Sequence, residues 1–206
     1  MKNLFIIIIL IANNSFSQTT EITTEKIDVD YYKKLPLHPG VVDNKNGNSH
    51  IYLYENNVIQ FYQDSLKVSI QVRRDDSPYK TIKLYSNKTK LLLRESLNFY
   101  DFCIGYTKIY NEIGELIEKN NCDINYLFSV EKIIEKVKKD YQIDLEISNL
   151  GVGLSRIRYE NKNCYSLTKS LGTAKSPKRI IIFDGNSGEV LSDKIQKYNE
   201  KNDPRI

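Results

Sequence analysis

Between Ile51 and Lys119 the chain is a succession of short apolar runs, each closed by turn-forming residues, and this rhythm limits what the segment can fold into. The runs fall at residues 51–54, 58–62, 66–73, 79–85, 91–97, 102–110 and 115–119, and all are rich in Tyr, Ile, Val and Leu. Such side chains suit a pleated, half-buried surface, and consecutive strands at this spacing predict an antiparallel meander.

Inside the meander lies a repeat. Lys83-Leu84-Tyr85-Ser86-Asn87-Lys88-Thr89-Lys90-Leu91-Leu92 aligns, 25 residues later, with Lys108-Ile109-Tyr110-Asn111-Glu112-Ile113-Gly114-Glu115-Leu116-Ile117. A repeated hairpin is the economical explanation. With Gly114 in the left-handed position of a three-residue loop, Asn111 faces Glu115, Tyr110 pairs with Leu116, Ile109 with Ile117 and Lys108 with Glu118. Apolar residues then meet apolar ones and opposite charges meet. A two-residue loop gives a poorer match, and only that register sets Cys103 directly across from Cys122. The favoured register therefore argues against a simple Cys103–Cys122 disulfide, which a bulge would restore.

Past Cys122 the period changes. Val130, Ile133, Ile134, Val137 and Tyr141 recur at helical spacing, with Glu131, Lys132, Glu135, Lys136, Lys138 and Lys139 on the opposite face. Ser129 is placed to cap this helix, and Lys138 and Lys139 suit its negative end. Residues 145–147, 154–159, 164–168 and 179–183 read as strands and 171–178 as a loop; a turn at 184–188 leads into a last strand from Glu189. The expected fold is α+β and β-rich: an antiparallel meander over residues 50–122, then a small module of one helix packed on an antiparallel sheet over 123–206.

Ile180-Ile181-Ile182-Phe183-Asp184-Gly185-Asn186-Ser187-Gly188-Glu189-Val190-Leu191, with the helix and strands before it, resembles the PepSY-type domains of secreted bacterial proteins. The 25-residue repeat, with its Tyr-Asn-Glu-Ile-Gly-Glu-Leu core, is similar to the hairpin repeats of MORN-variant proteins. The first resemblance implies a helix on an antiparallel sheet and inhibition or binding of peptidases; the second implies a structural or binding element. Neither brings a catalytic residue with it.

The N-terminus sets the location. Lys2 gives a positive start, residues 4–12 form an apolar run, and Ser15 and Ser17 stand where a signal peptidase reads, so residues 1–17 are expected to be a signal cleaved before Gln18. The apolar run falls far short of the ~20 residues that span a bilayer, so no transmembrane anchor is expected. Export to the periplasm or the extracellular medium follows. Loss of Lys2 leaves a net charge of +3 in place of +4, too mild to argue for a nucleic-acid partner. The next segment, residues 18–49, is polar and reads as an arm or irregular lead-in that buries little, with Val41 and Val42 able to dock.

No residue pattern here commits to chemistry. His38 sits in a Pro-flanked loop and His50 at a strand start; Asp75 and Asp76 form a charged turn; Gly151-Val152-Gly153 precedes a strand, whereas a phosphate loop opens a helix. Asp184 reads as a turn former and Cys164 as a buried small residue. No catalytic, cofactor or metal site is assigned, because the spacing of Cys103, Cys122 and Cys164 matches no zinc pattern. The expected function is an exported, non-catalytic protein- or peptide-binding module, of inhibitory or immunity type. The alternative is an envelope-associated hydrolase or carbohydrate-binding protein whose site converges only in three dimensions.

Overall fold

A computed structural model of the protein describes residues 21–38, 48–148, 151–173 and 176–197. The expected signal at residues 1–17 lies outside the described residues, as do Val41 and Val42.

The first described segment contains a short helix, α1 (Val29–Lys33). It is followed by β1 (Ser49–Tyr54), β2 (Asn57–Gln63), β3 (Lys67–Arg74), β4 (Tyr79–Ser86), β5 (Leu92–Phe99), β6 (Phe102–Tyr110) and β7 (Leu116–Asn121). Among the described residues these form one seven-stranded antiparallel sheet in chain order, the meander that the alternating runs predict. Next come α2 (Val130–Tyr141) and four strands, β8 (Val152–Tyr159), β9 (Lys162–Ser170), β10 (Lys178–Asp184) and β11 (Val190–Gln196). They make a second antiparallel sheet in the order β11-β10-β9-β8. The chain is thus β-rich, with two short helices among the described residues.

Because side chains alternate along a strand, the registers sort the first sheet into two faces. On the covered face, Tyr52, Ile59, Phe61, Val68, Ile70, Tyr85, Leu92 and Tyr110 form a core cluster with Ile27 and Val29 of the N-terminal segment. At the other end of the same face Phe99 joins a second cluster, with Tyr79, Tyr100, Phe102 and Ile104 packed against it. That cluster holds Val130, Ile133, Ile134 and Val137 of α2 together with Leu154, Tyr165, Leu167, Ile181 and Phe183 of the second sheet. One core therefore takes side chains from both sheets and the helix.

Helix α2 begins and ends as its sequence dictates. The Ser129 side chain accepts from the Lys132 amide, and Gln142 closes the helix in the left-handed region at φ 57°. Residues 145–147, expected as a strand, instead form a turn in which Asp144 accepts from the Glu146 amide at 3.0 Å. Fully buried Leu145 plugs the core there, and the Tyr100 hydroxyl donates to its carbonyl. A three-residue run that anchors in a core needs no strand partner.

The lead-in is more ordered than its polarity suggests. The Leu116 amide donates to Glu21 O and the Thr23 amide to Gly114 O; four residues on, the Leu92 amide donates to Glu25 O and the Ile27 amide to Lys90 O. A four-residue step along the arm therefore matches one hairpin repeat. Side chains keep the same step: Glu21 pairs with Lys108, and Glu25 with Lys83 at 2.8 Å. Farther along, His38 and Pro36 bond to β1 at Ile51 and Leu53, covering that edge. The expectation that residues 18–49 bury little is thus corrected for the arm, because Ile27 and Val29 enter the core.

The two repeat hairpins share a strand pattern but not a loop length: the first loop is one residue longer, so Leu92, and not the Leu91 of the 25-residue alignment, takes the place of Leu116. Tyr85 pairs with Leu92 and Tyr110 with Leu116, and in both the next residue bulges, so Leu84 faces Arg94 and Ile109 faces Glu118. The expected Tyr110–Leu116 pair and three-residue loop are present, with Gly114 at φ 89°. The bulge at Ile117 then overturns the expected pairs Ile109–Ile117 and Lys108–Glu118. Lys108 finds its acids elsewhere, in Glu21 of the arm and Glu95 of β5. The bulge at Ile117 sets Cys122 beside Gly105, whose carbonyl accepts from the Cys122 amide. There β6 breaks step, with Gly105 at φ 67° and four positions from Ile104 to Lys108 set against two from Leu97 to Glu95, and Cys103 comes to a Cα separation of 5.7 Å from Cys122, where the two form a disulfide. The expectation that Cys103 and Cys122 stay apart is therefore corrected, through an irregularity inside β6 at Gly105 that the register of the β6–β7 turn does not reveal.

Candidate functional site

The second face of the seven-stranded sheet contributes no residue to either core cluster. Its rows follow from the registers: Tyr62, Ser69, Leu84, Arg94, Ile109 and Glu118 in one, and Gln60, Gln71 and Ile82 in the next. Arg73, Lys80, Asn98 and Cys103 make a third row. A cavity of about 250 Å³ opens at its centre, lined by Ser69, Ile82, Leu84, Arg94, Ser96, Asn98 and Cys103. Aliphatic side chains form the floor, with hydroxyl and amide groups beside them. Half-buried Ile82 and Leu84 lie on the central strand of the seven, which a protein ordinarily covers or uses.

Two other concavities have a different character. The larger, about 740 Å³, is a cleft between turns lined by Glu55, Asn56, Asn57, Arg74, Asp75, Asp76 and Ser148. Its Asp76 carboxylate is committed: Arg74 holds it in a two-pronged pair at 2.7 and 2.9 Å, and this hydrogen bonding keeps the Asp76 carboxyl below its usual range. An acid held ionised in this way is a poor proton donor at neutral pH. The smaller, about 200 Å³, lies on the covered face between the two cores and includes Thr81, Glu95, Leu97, Tyr106 and Lys108. Here Glu95 accepts from the Tyr110 hydroxyl at 3.1 Å. Burial, then Glu95, pushes the Tyr110 phenol up to about 12. Both groups serve the network that seats the arm.

The residues weighed from sequence are dispersed. His50 stacks on Tyr52 with ring centres 6.0 Å apart, and the His38 amide donates to Ile51. Gly151-Val152-Gly153 leads into β8, and Asp184 accepts from the Asn186 and Ser187 amides at 2.8 and 3.1 Å. Those backbone bonds lower its pKa, as a turn former requires. Cys164 is fully buried and unpaired, and burial raises its thiol pKa. Among the described residues no group of three or more His, Cys, Asp or Glu is arranged to hold a metal ion. No described helix is long and apolar enough to cross a membrane.

Sequence reasoning passed over Arg156, which the fold sets in a cage. Its guanidinium lies 4.1 Å from the Tyr126 ring centre and 4.7 Å from that of Phe102, and donates to Asp123, Cys103 O and Cys122 O. It therefore joins β8 to the disulfide of the first sheet. Nothing in Ser155-Arg156-Ile157-Arg158 distinguishes this arginine from exposed Arg158.

No family model matches the chain, and no curated protein and no solved structure is significantly similar to it. The reading of its function rests on the open face.

Proposed function

We propose that the chain is an exported, non-catalytic module that binds a protein or peptide on the open face of its seven-stranded sheet, in an inhibitory or immunity-type role. One observation carries the reading: this face presents aliphatic and amide side chains around a 250 Å³ concavity and belongs to neither core. A surface with an apolar floor and a polar rim is the usual anatomy of a protein interface. The Cys103–Cys122 disulfide fits an oxidising compartment and so supports export. In this reading α2 with the second sheet is the PepSY-like module and the repeat hairpins are MORN-like, and both serve as scaffold.

The test is affinity capture from envelope extract with residues 18–206, run beside an Ile82→Glu variant of unchanged melting temperature. A partner held by the native protein and released by the variant supports the reading. Reproducible absence of any partner, or equal retention by both proteins, overturns it.

A further inference from the structure

The charges of the open face are one-sided. Among the described strand residues on it, Lys67, Arg73, Lys80 and Arg94 stand against a single acid, Glu118, on the edge strand β7. Two of the cations have rim partners: Arg73 lies 3.8 Å from Asp75, and Lys80 is 3.0 Å from Asp101. Arg94 is exposed and has no hydrogen-bond or ion-pair partner among the described residues, yet it lines the central cavity. An unpaired guanidinium beside an apolar floor favours an occupant that brings a carboxylate.

Register gives the spacing of that occupant. Leu84 faces Arg94, Ile82 faces Ser96 and Lys80 faces Asn98, so Arg94 and Lys80 lie two open-face rows apart with Ile82 between them. Two rows are four residues along a strand, or about 13 Å. An extended peptide places its same-side residues i, i+2 and i+4 at that pitch. Resting on the proposed binding role of this face, we propose that the occupant is an extended acidic protein segment of pattern acid–x–aliphatic–x–acid. One carboxylate meets Arg94, the other displaces the exposed Asp101 from Lys80, and the aliphatic side chain lies on Ile82 and Leu84.

A protein segment fits better than a polyanion. Single-stranded nucleic acid is held by stacked aromatic rings along a basic groove, whereas this cavity is lined by aliphatic, hydroxyl and amide groups with one guanidinium. The net charge of +4 for the whole chain is also too small for a binder of phosphate backbones.

The experiment is fluorescence anisotropy with a labelled peptide containing Glu-Ser-Leu-Ser-Glu, and with versions carrying Lys for Glu or Ser for Leu. The expected result is saturable, salt-sensitive binding of the acidic peptide, weakened by loss of the leucine and roughly tenfold weaker with Arg94→Glu. Arg74→Glu, at the turn cleft, leaves the affinity unchanged. Equal binding of the lysine peptide, or indifference to Arg94→Glu, overturns the proposal. So does heparin or single-stranded DNA binding more tightly than the peptide with the same Arg94 dependence. A captured envelope partner that is lost with Ile82→Glu but kept with Arg94→Glu overturns the acidic pattern alone and leaves the binding role standing.

Discussion

One guanidinium nitrogen of Arg156 lies 3.0 Å from the carbonyl oxygen of Cys103, and the same nitrogen lies 2.9 Å from that of Cys122. The two carbonyls belong to the two ends of the disulfide, so the arginine reads the closed pair as one acceptor. Its other terminal nitrogen donates to Asp123, 2.5 Å away, and to the Tyr165 hydroxyl at 3.3 Å. The side chain is only 9% exposed, so these contacts form where water competes weakly.

Arg156→Met fills similar volume but takes the guanidinium donor from two carbonyls and from Oδ1 of Asp123, whose Oδ2 keeps the Gly105 amide. Stability is expected to fall by about 2–4 kcal/mol, read as a shift in the urea midpoint. Arg156→Lys should lose less, though still measurably, because one ammonium cannot span the fork that two carbonyls and a carboxylate require. An unchanged midpoint in the methionine variant would show that the cage contributes nothing.

The disulfide gives a mass prediction. Alkylation of the denatured, unreduced protein should add one group, at Cys164, and prior reduction should raise this to three. With the bonded cysteines 19 positions apart, replacing both by serine should cost roughly 3 kcal/mol on the chain-entropy estimate. Three alkylations without reductant would refute the pairing.

Much of the fold was legible because local signals agreed with it. The amphipathic run from Val130 and the strands of the meander announced themselves by period alone, since one face of each is buried. The arm was not legible. It docks through backbone bonds to Leu116 and Leu92, which any side chain can make, and through Ile27 and Val29, too short an apolar pair to announce an element; its other sequence trace is Glu21 and Glu25, four apart, answering Lys108 and Lys83, 25 apart. The Cys103–Cys122 pairing was missed for a related reason. The left-handed turn at Gly105 that brings the cysteines together interrupts a run that reads as one continuous strand, and β6 breaks step there against β5, outside the hairpin. The open face was hidden in the alternation itself, since a pattern of polar and apolar residues does not say which face another element covers.

Acid should loosen the arm. Burial raises the pKa of Glu25, but hydrogen bonds from Lys83 and the Tyr85 hydroxyl outweigh it and hold the value below the usual 4.5. A carboxyl depressed in the folded state contributes stability that is fully present above its unfolded pKa and is lost as pH falls through the folded one. Exchange of the Ile27 and Leu92 amides, which bridge arm and sheet, is therefore expected to accelerate below about pH 4.5, after correction for the intrinsic rate. Glu25→Gln should flatten that dependence; if the native and variant profiles coincide, Glu25 is not the group that titrates.

Gly114 and Gly105 separate backbone strain from arm contact. Both hold positive φ, 89° and 67°, so alanine at either incurs the left-handed penalty of about 1–2 kcal/mol. They differ in what the added methyl meets. At Gly114 it would lie 2.3 Å from the carbonyl oxygen of Thr23 in the arm, while at Gly105 nothing lies within 4 Å. Backbone cannot yield as a side-chain tip does, so Gly114→Ala should push the arm off the β6–β7 turn. It is expected to be less stable than Gly105→Ala and to lose protection at the Thr23 and Leu116 amides, which Gly105→Ala keeps. Equal stability and equal protection in the two variants would mean that the arm rests on this turn without holding it.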